Sequence, residues 1–275
     1  MKARMPLVTL TAAILVASAS SSTRAAMDHG TDDPAREMHQ KMGHEKRDHP
    51  QGARPQRAGR IQATPLSAST LIIEFNSSAQ DIGVQFFLDS EGWTSIEIND
   101  PRGKEIFSAT TAGRLRRQGG GTELFLESVE PELSELSFED FFDRFPEGTY
   151  RFHGRSTDGG ELVGSAEFSH AVPAGPEILT PVQGSTCPTI ANPAVISWKP
   201  VTTSFFGDPL AIARYEVIVE NDDVNFDVHL PASAGTSLTL SPQILPPGAE
   251  FAFEVLAIEE GGNQTITEGC FRTAP

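Results

Sequence analysis

Between Leu71 and Thr273 the apolar residues fall at every second position in short runs, and turn-forming residues separate the runs. A period of two puts alternate side chains on one face of an extended chain, so such a stretch buries a core only by packing sheets together. Leu71, Ile73 and Phe75 alternate, and so do Ile82, Val84, Phe86 and Leu88. Further strands are expected from Trp93 to Ile98, Lys104 to Ser108, Thr122 to Glu127, Thr149 to Gly154 and Glu161 to Phe168. The turns between them are Asp100-Pro101-Arg102-Gly103, the triplet Gly119-Gly120-Gly121, and Asp158-Gly159-Gly160. Short strands at this spacing predict a sandwich over residues 61–172. No cysteine or buried tryptophan landmark marks this first module.

A second set of landmarks follows over residues 176–275. Trp198 closes a strand that begins at Ala194, and Tyr215, Val217 and Val219 alternate in a later one. Leu238 and Leu240 come next, and the turn Leu245-Pro246-Pro247-Gly248-Ala249-Glu250 leads into Phe251, Phe253, Val255 and Ala257. This series resembles a fibronectin type III domain, which implies a noncatalytic scaffold. In that family the turn leads into a tyrosine whose hydroxyl bonds back to the backbone; Phe251 stands there in this chain and lacks the hydroxyl. Pro146-Glu147-Gly148-Thr149-Tyr150 resembles the same corner with its tyrosine present, which makes the first module immunoglobulin-like. The fold class expected is therefore all-β, two tandem antiparallel β-sandwich domains. No Arg-Gly-Asp triplet occurs, so integrin-type adhesion is unsupported.

The resemblance bears on the two cysteines, Cys187 and Cys270. In such a sandwich the first and last strands run side by side, so a bridge would staple the module's ends. The rival role, a catalytic or metal-binding thiol pair, lacks C-x-x-C spacing and a neighbouring histidine. A disulfide also fits the address. Lys2 and Arg4 precede an apolar run from Pro6 to Ala17, too short to span a bilayer, and Ala17-Ser18-Ala19 offers small residues for cleavage. Residues 1–19 thus read as a signal peptide, and the protein as exported, periplasmic or extracellular, without a transmembrane segment when mature.

Residues 20–60 hold almost no aliphatic or aromatic side chains and are expected to be a disordered leader. From Ile61 onward 11 Lys plus Arg face 31 Asp plus Glu, an acidic body that repels nucleic acid. Within the leader, Met27, His29, Met38, His39, Met42, His44 and His49 supply thioether and imidazole groups, a donor set that suits copper. Extracytoplasmic copper capture is therefore the alternative function; otherwise no cofactor is expected.

One helix is expected near 137–145, where Phe138, Phe141, Phe142 and Phe145 fall at helical spacing after Ser137 and before Pro146. Residues 123–147 carry nine carboxylates against Arg144. The helix reads as a cover over the open end of the sandwich, or as a docking element with one or two Phe side chains exposed. Arg114, Arg116 and Arg117 read as a solvated hairpin edge, with an anionic glycan or acidic protein as the competing ligand. Asn221, Asp222, Asp223, Asn225 and Asp227 are rich in oxygens, but they lack the Gly and distal Glu of an EF-hand and also fit a turn and the outer face of a strand. His153, His170 and His229 stand alone in strand-like contexts. No zinc-protease, nucleophile-elbow, phosphate-loop or dinucleotide motif is present. The chain is expected to be no enzyme, acting as a binding or structural module toward a protein or cell-surface ligand.

Overall fold

A computed structural model describes residues 63–275 of the 275. The expected signal peptide and the leader, with all seven Met and His candidates, lie outside the described residues. The first module contains β1 (Thr64–Pro65), β2 (Ala68–Asn76), β3 (Asp81–Asn99), β4 (Glu105–Thr110), β5 (Gly121–Glu127), β6 (Gly148–Ser156) and β7 (Glu161–Phe168). Helix α1 (Gly113–Gln118) precedes β5 and α2 (Phe138–Arg144) precedes β6. The second contains β8 (Ile178–Thr180), β9 (Thr189–Ile190), β10 (Ala194–Trp198), β11 (Ile212–Glu220), β12 (Asn225–Pro231), β13 (Ser237–Leu240), β14 (Glu250–Glu259) and β15 (Gln264–Thr273).

The runs expected at Ile82–Leu88 and Trp93–Ile98 are one 19-residue strand, β3. Its first half pairs with β2 and β5 and its second with β4 and β6, with register shifts between Asp89 and Trp93 against β5 and between Trp93 and Ser95 against β6. The strand changes sheets at that irregularity, and this closes the sandwich without a connecting loop. Leu71, Ile73, Phe75, Phe86, Tyr150 and Phe152 are among the residues filling the core between. Trp93 is buried there as well, so the module does have the tryptophan landmark that its sequence context concealed. The tyrosine corner forms as expected: the Tyr150 hydroxyl donates to Pro146 O at 3.1 Å. Burial holds that phenol well above its usual pKa, so it stays a donor.

The arginine cluster is corrected. Arg114, Arg116 and Arg117 lie on α1, a second short helix, and not on a hairpin edge. Gly119 ends that helix in the left-handed conformation, and Gly120 passes so close to Trp93 O that a Cβ would sit 2.1 Å from it. Only glycine fits at that position, which is why the triplet terminates a helix here.

In the second module a three-stranded sheet, β13–β10–β8, faces the run β15–β14–β11–β12, the arrangement expected for a fibronectin type III sandwich. Trp198 lies 5.3 Å from Tyr215, ring to ring, and the Tyr215 hydroxyl accepts from Val201 N at 2.9 Å. Phe251 stacks on Phe271 at 5.3 Å and is fully buried, so packing replaces the hydrogen bond that a tyrosine would make. Cys187 and Cys270 form a disulfide. Cys187 lies in the loop before β9 and not on the first strand; β9 in turn runs parallel beside β15, which carries Cys270.

The two sandwiches share an edge: β15 pairs in parallel with β2, which links strands of both modules into one 12-stranded sheet. Among the described residues no helix is long and apolar enough to cross a membrane.

Candidate functional site

The joint between the modules concentrates the unusual chemistry of the protein. Gln264, Thr265 and Ile266 of β15 lie beside Glu74, Phe75 and Asn76 of β2. The β14–β15 turn is held by Glu259, whose carboxylate accepts from Gly261 N at 2.7 Å and Asn263 N at 3.0 Å. That turn aims the Asn263 side chain into the first module. Its Oδ1 accepts from Ile73 N at 2.9 Å, and its Nδ2 donates to Ser169 O at 3.0 Å. One buried amide therefore satisfies a backbone group within β2 and another just past the end of β7. Asn263→Ala is expected to cost about 3 kcal/mol in chemical denaturation, because the partners left behind are buried donors and acceptors. A loss below about 1 kcal/mol would mean that water replaces the amide.

Beside this polar joint runs an aromatic seam. Phe138 of α2 lies 5.2 Å from Phe75, 4.8 Å from Phe205 and 5.2 Å from Phe206, ring to ring. Phe142 stacks on His170 at 3.9 Å, and His170 Nε2 lies 2.8 Å from Phe145 O, so this histidine is structural. Ser137 caps α2 by accepting from Asp140 N, and Phe141 is buried. The helix is thus a cover, as read first. The largely exposed rings belong instead to the second module, Phe205 at 40% and Phe206 at 52%. Their loop has no periodicity to announce them.

The opposite face of the joined sheet carries carboxylates. Leu71, Ile73 and Phe75 point into one core and Val217, Val219, Phe253 and Val255 into the other, so alternation sends Glu74, Glu216 and Glu254 to the far side. There they lie among Ile218, Leu256 and Ile266, all buried. Desolvation raises Glu74 from 4.5 to about 7, and Glu216 and Glu254 to about 8. Glu130, from the loop after β5, is raised to about 8 by burial and by the charges of Glu74 and Glu127. Gln264 Nε2 donates to Glu74 across the joint.

Two groups of potential metal ligands arise on this face. Oxygens of Glu74, Glu127 and Glu130 lie within 4.8 Å of one another, and so do ligand atoms of Glu216, Asp227 and His229. His229 is therefore not isolated: its Nδ1 lies 3.6 Å from Glu216 Oε2. Of these carboxylates the sequence singles out Asp227 alone, within the oxygen-rich Asn221 group, since a Glu alternating with apolar neighbours reads as the wet face of a strand. The Asn221 loop forms a turn, with Asn221 Oδ1 accepting from Asp223 N and Val224 N, while Asn225 and Asp227 lie on the exposed side of β12.

Elsewhere the surface holds an open recess of about 410 Å³ lined by Glu97, Glu105, His153, Arg155 and Glu161 among others. A smaller one of about 260 Å³ includes Arg116 and Arg155. Among the described residues no serine, threonine or cysteine side chain hydrogen-bonds to a histidine ring.

No family model matches the sequence, and no curated protein matches it. Solved structures similar to it include a bacterial ice-binding adhesin concerned with host cell surface retention, at 11% identity over 77% of this chain, with a TM-score of 0.25. A tetra-tandem repeat from the extending region of a large adhesion protein matches at 14% over 75%, TM-score 0.24. The chain spans 65% and 49% of those two structures' lengths. A two-domain fibronectin type III segment of chicken tenascin matches at 12% over 74% of this chain and 99% of its own, TM-score 0.27.

Proposed function

We propose that this protein is an exported, noncatalytic binding and structural module that engages a protein or cell-surface ligand as one stiff two-sandwich body. The observation that carries the reading is the shared sheet: a β2–β15 joint with a buried amide and an aromatic seam beside it resists bending as a flexible linker would not. The disulfide supports export, because such bonds persist in oxidising compartments. Both recesses are open and the larger is mostly polar, which suits a contact surface better than an enclosed substrate site. Phe205 and Phe206 at the seam provide the apolar contact.

The test is retention of purified protein on envelope and cell-surface preparations of the producing cell. Retention is expected to survive deletion of residues 20–60 and to fall about tenfold in Phe206→Ser, the scale of one interface anchor. Retention that disappears with residues 20–60 and ignores Phe206 would sink this reading and transfer the activity to the Met/His leader.

A further inference from the structure

The outer face of β4, β3 and β6 carries basic groups that the rest of the protein leaves unanswered. Alternation buries Ile96 and Ile98 and turns Ser95 and Glu97 outward on β3. Ser95 lies directly opposite Thr110 of β4 on one side and Arg155 of β6 on the other, so the three form one row across three strands. Helix α1 closes the end of this row. Thr111 N donates to Thr94 O at 2.9 Å, which holds the start of the β4–α1 turn, and the close approach of Gly120 to Trp93 O holds the far end of the helix. Of the three arginines on α1, Arg116 alone joins Arg155, Ser95, Thr110 and Thr157 around the recess of about 260 Å³.

These groups have their donors unused. Among the described residues the side chains of Arg116 and Arg155 form no ion pair, and the one arginine side chain that hydrogen-bonds is that of Arg272. The hydroxyls of Ser95, Thr110 and Thr157 make no hydrogen bond there either, whereas those of neighbouring Thr94 and Thr111 bond to backbone carbonyls. No carboxylate lines this recess, although from Ile61 onward acidic residues outnumber basic ones 31 to 11. Asp158 is turned into its own loop, where it accepts from Ser156 Oγ and Gly160 N, and Glu161, opposite Arg155 across β6 and β7, forms no ion pair with it.

The larger recess continues from the smaller through Ser95, Thr110 and Arg155, which line both, and there Glu97, Glu105 and Glu161 contribute to the wall. The trough is thus cationic beside α1 and acidic beyond it. A ligand that complements it brings an anionic group to the arginines and hydrogen-bond donors to the carboxylates. A sugar acid has both: its carboxylate suits the guanidinium fork, and its ring hydroxyls donate to carboxylates and exchange hydrogen bonds with serine and threonine. A sulfated polyanion brings dense charge and meets repulsion at three carboxylates.

We propose that this trough binds a carboxylated saccharide, with the sugar carboxylate at Arg116 and Arg155 and the sugar hydroxyls toward Glu97, Glu105 and Glu161. The assignment names a ligand class for the surface-binding reading above and rests on it. The trough shares no residue with the seam of Phe138, Phe205 and Phe206, so the two contacts can fail separately.

The experiment is calorimetric titration of the full-length mature protein with sialyl-lactose and with an oligogalacturonate, two sources of a sugar carboxylate, beside lactose and dextran sulfate. At least one of the sugar acids should bind with a dissociation constant of about 1 mM or tighter, and lactose about tenfold more weakly, the scale of one charge-assisted contact. Arg116→Ala and Arg155→Ala should each weaken the sugar acid about tenfold, whereas Arg151→Ala, exposed on the same strand as Arg155 but outside the trough, should not. Neither trough arginine makes an ion pair or a side-chain hydrogen bond, so both variants should melt with the parent, which their melting curves check. No heat with either sugar acid, equal binding of lactose, or an equal loss in Arg151→Ala would overturn the proposal. Dextran sulfate bound more tightly than both sugar acids would overturn it as well, by marking a polyanion surface. Retention on cell-surface preparations that falls in Phe206→Ser, with no sugar acid bound, would sink the trough and leave the seam as a protein contact. Sugar binding lost in Arg155→Ala, with retention indifferent to Phe206→Ser, would uphold the trough and sink the seam.

Discussion

In chelator, the protein should melt about 10 °C lower near pH 9 than near pH 5.5, corresponding to about 4 kcal/mol of stability for a domain pair of this size. Four carboxyls drive the change: Glu74, raised to about 7, and Glu130, Glu216 and Glu254, raised to about 8. Burial is the main cause in each, and the groups facing them are mostly acidic. Glu127, Asp81 and Glu254 bear on the Glu74 end; Glu268 and Glu220 face Glu254; and Asp227 faces Glu216, opposed there by Arg214 and His229. Because the folded values exceed the unfolded ones, the native state holds protons that the unfolded chain has already released. Their contribution is complete below about 4.5 and is lost as the pH rises through 7 to 8. At 1.36 kcal/mol per pH unit the four shifts taken separately would exceed roughly 10 kcal/mol. Solvent at half-exposed Glu130 and repulsion shared between neighbours reduce that to the smaller figure. A flat melting profile across this range would show that these carboxyls are ionised and hydrated in the native protein.

Reducing the Cys187–Cys270 bond, or replacing both residues by serine, should cost about 4 kcal/mol. The bond closes a loop with a sequence separation of 83, and the conformations it removes from the unfolded chain grow with the logarithm of loop length. The native state itself should change little. Cys270 N donates to Gln183 Oε1, and β9 remains paired with β15 through Arg272 and Thr273. Guanidinium denaturation of the double serine variant, compared with the parent, reads the loss. A change under about 1 kcal/mol would mean that the unfolded chain is already compact around this segment. The two effects should add, since the bond and the carboxyls act on different states and different strands.

The strands of both modules were legible in the amino-acid order because each alternation serves a core: Ile73 and Phe75, or Val217 and Val219, have one direction in which to be buried. Tyr150 and Trp198 were legible for a related reason, since a corner and a core each require a particular side chain at a fixed place in the chain. The disulfide followed from there being two cysteines at the ends of one module. The site was not legible. Glu74, Glu216 and Glu254 occupy the positions that alternation assigns to solvent, and only the fusion of the sheets through β2 and β15 brings them onto one continuous face. Asn263 looks like any turn residue until Ile73 N, 190 positions earlier, is placed against it. Sequence thus determined which residues form strands and which faces of them are buried within a module, because period and turn chemistry are local. Tertiary structure alone decided where the modules meet, because a parallel pairing between distant strands leaves no periodic trace in either one.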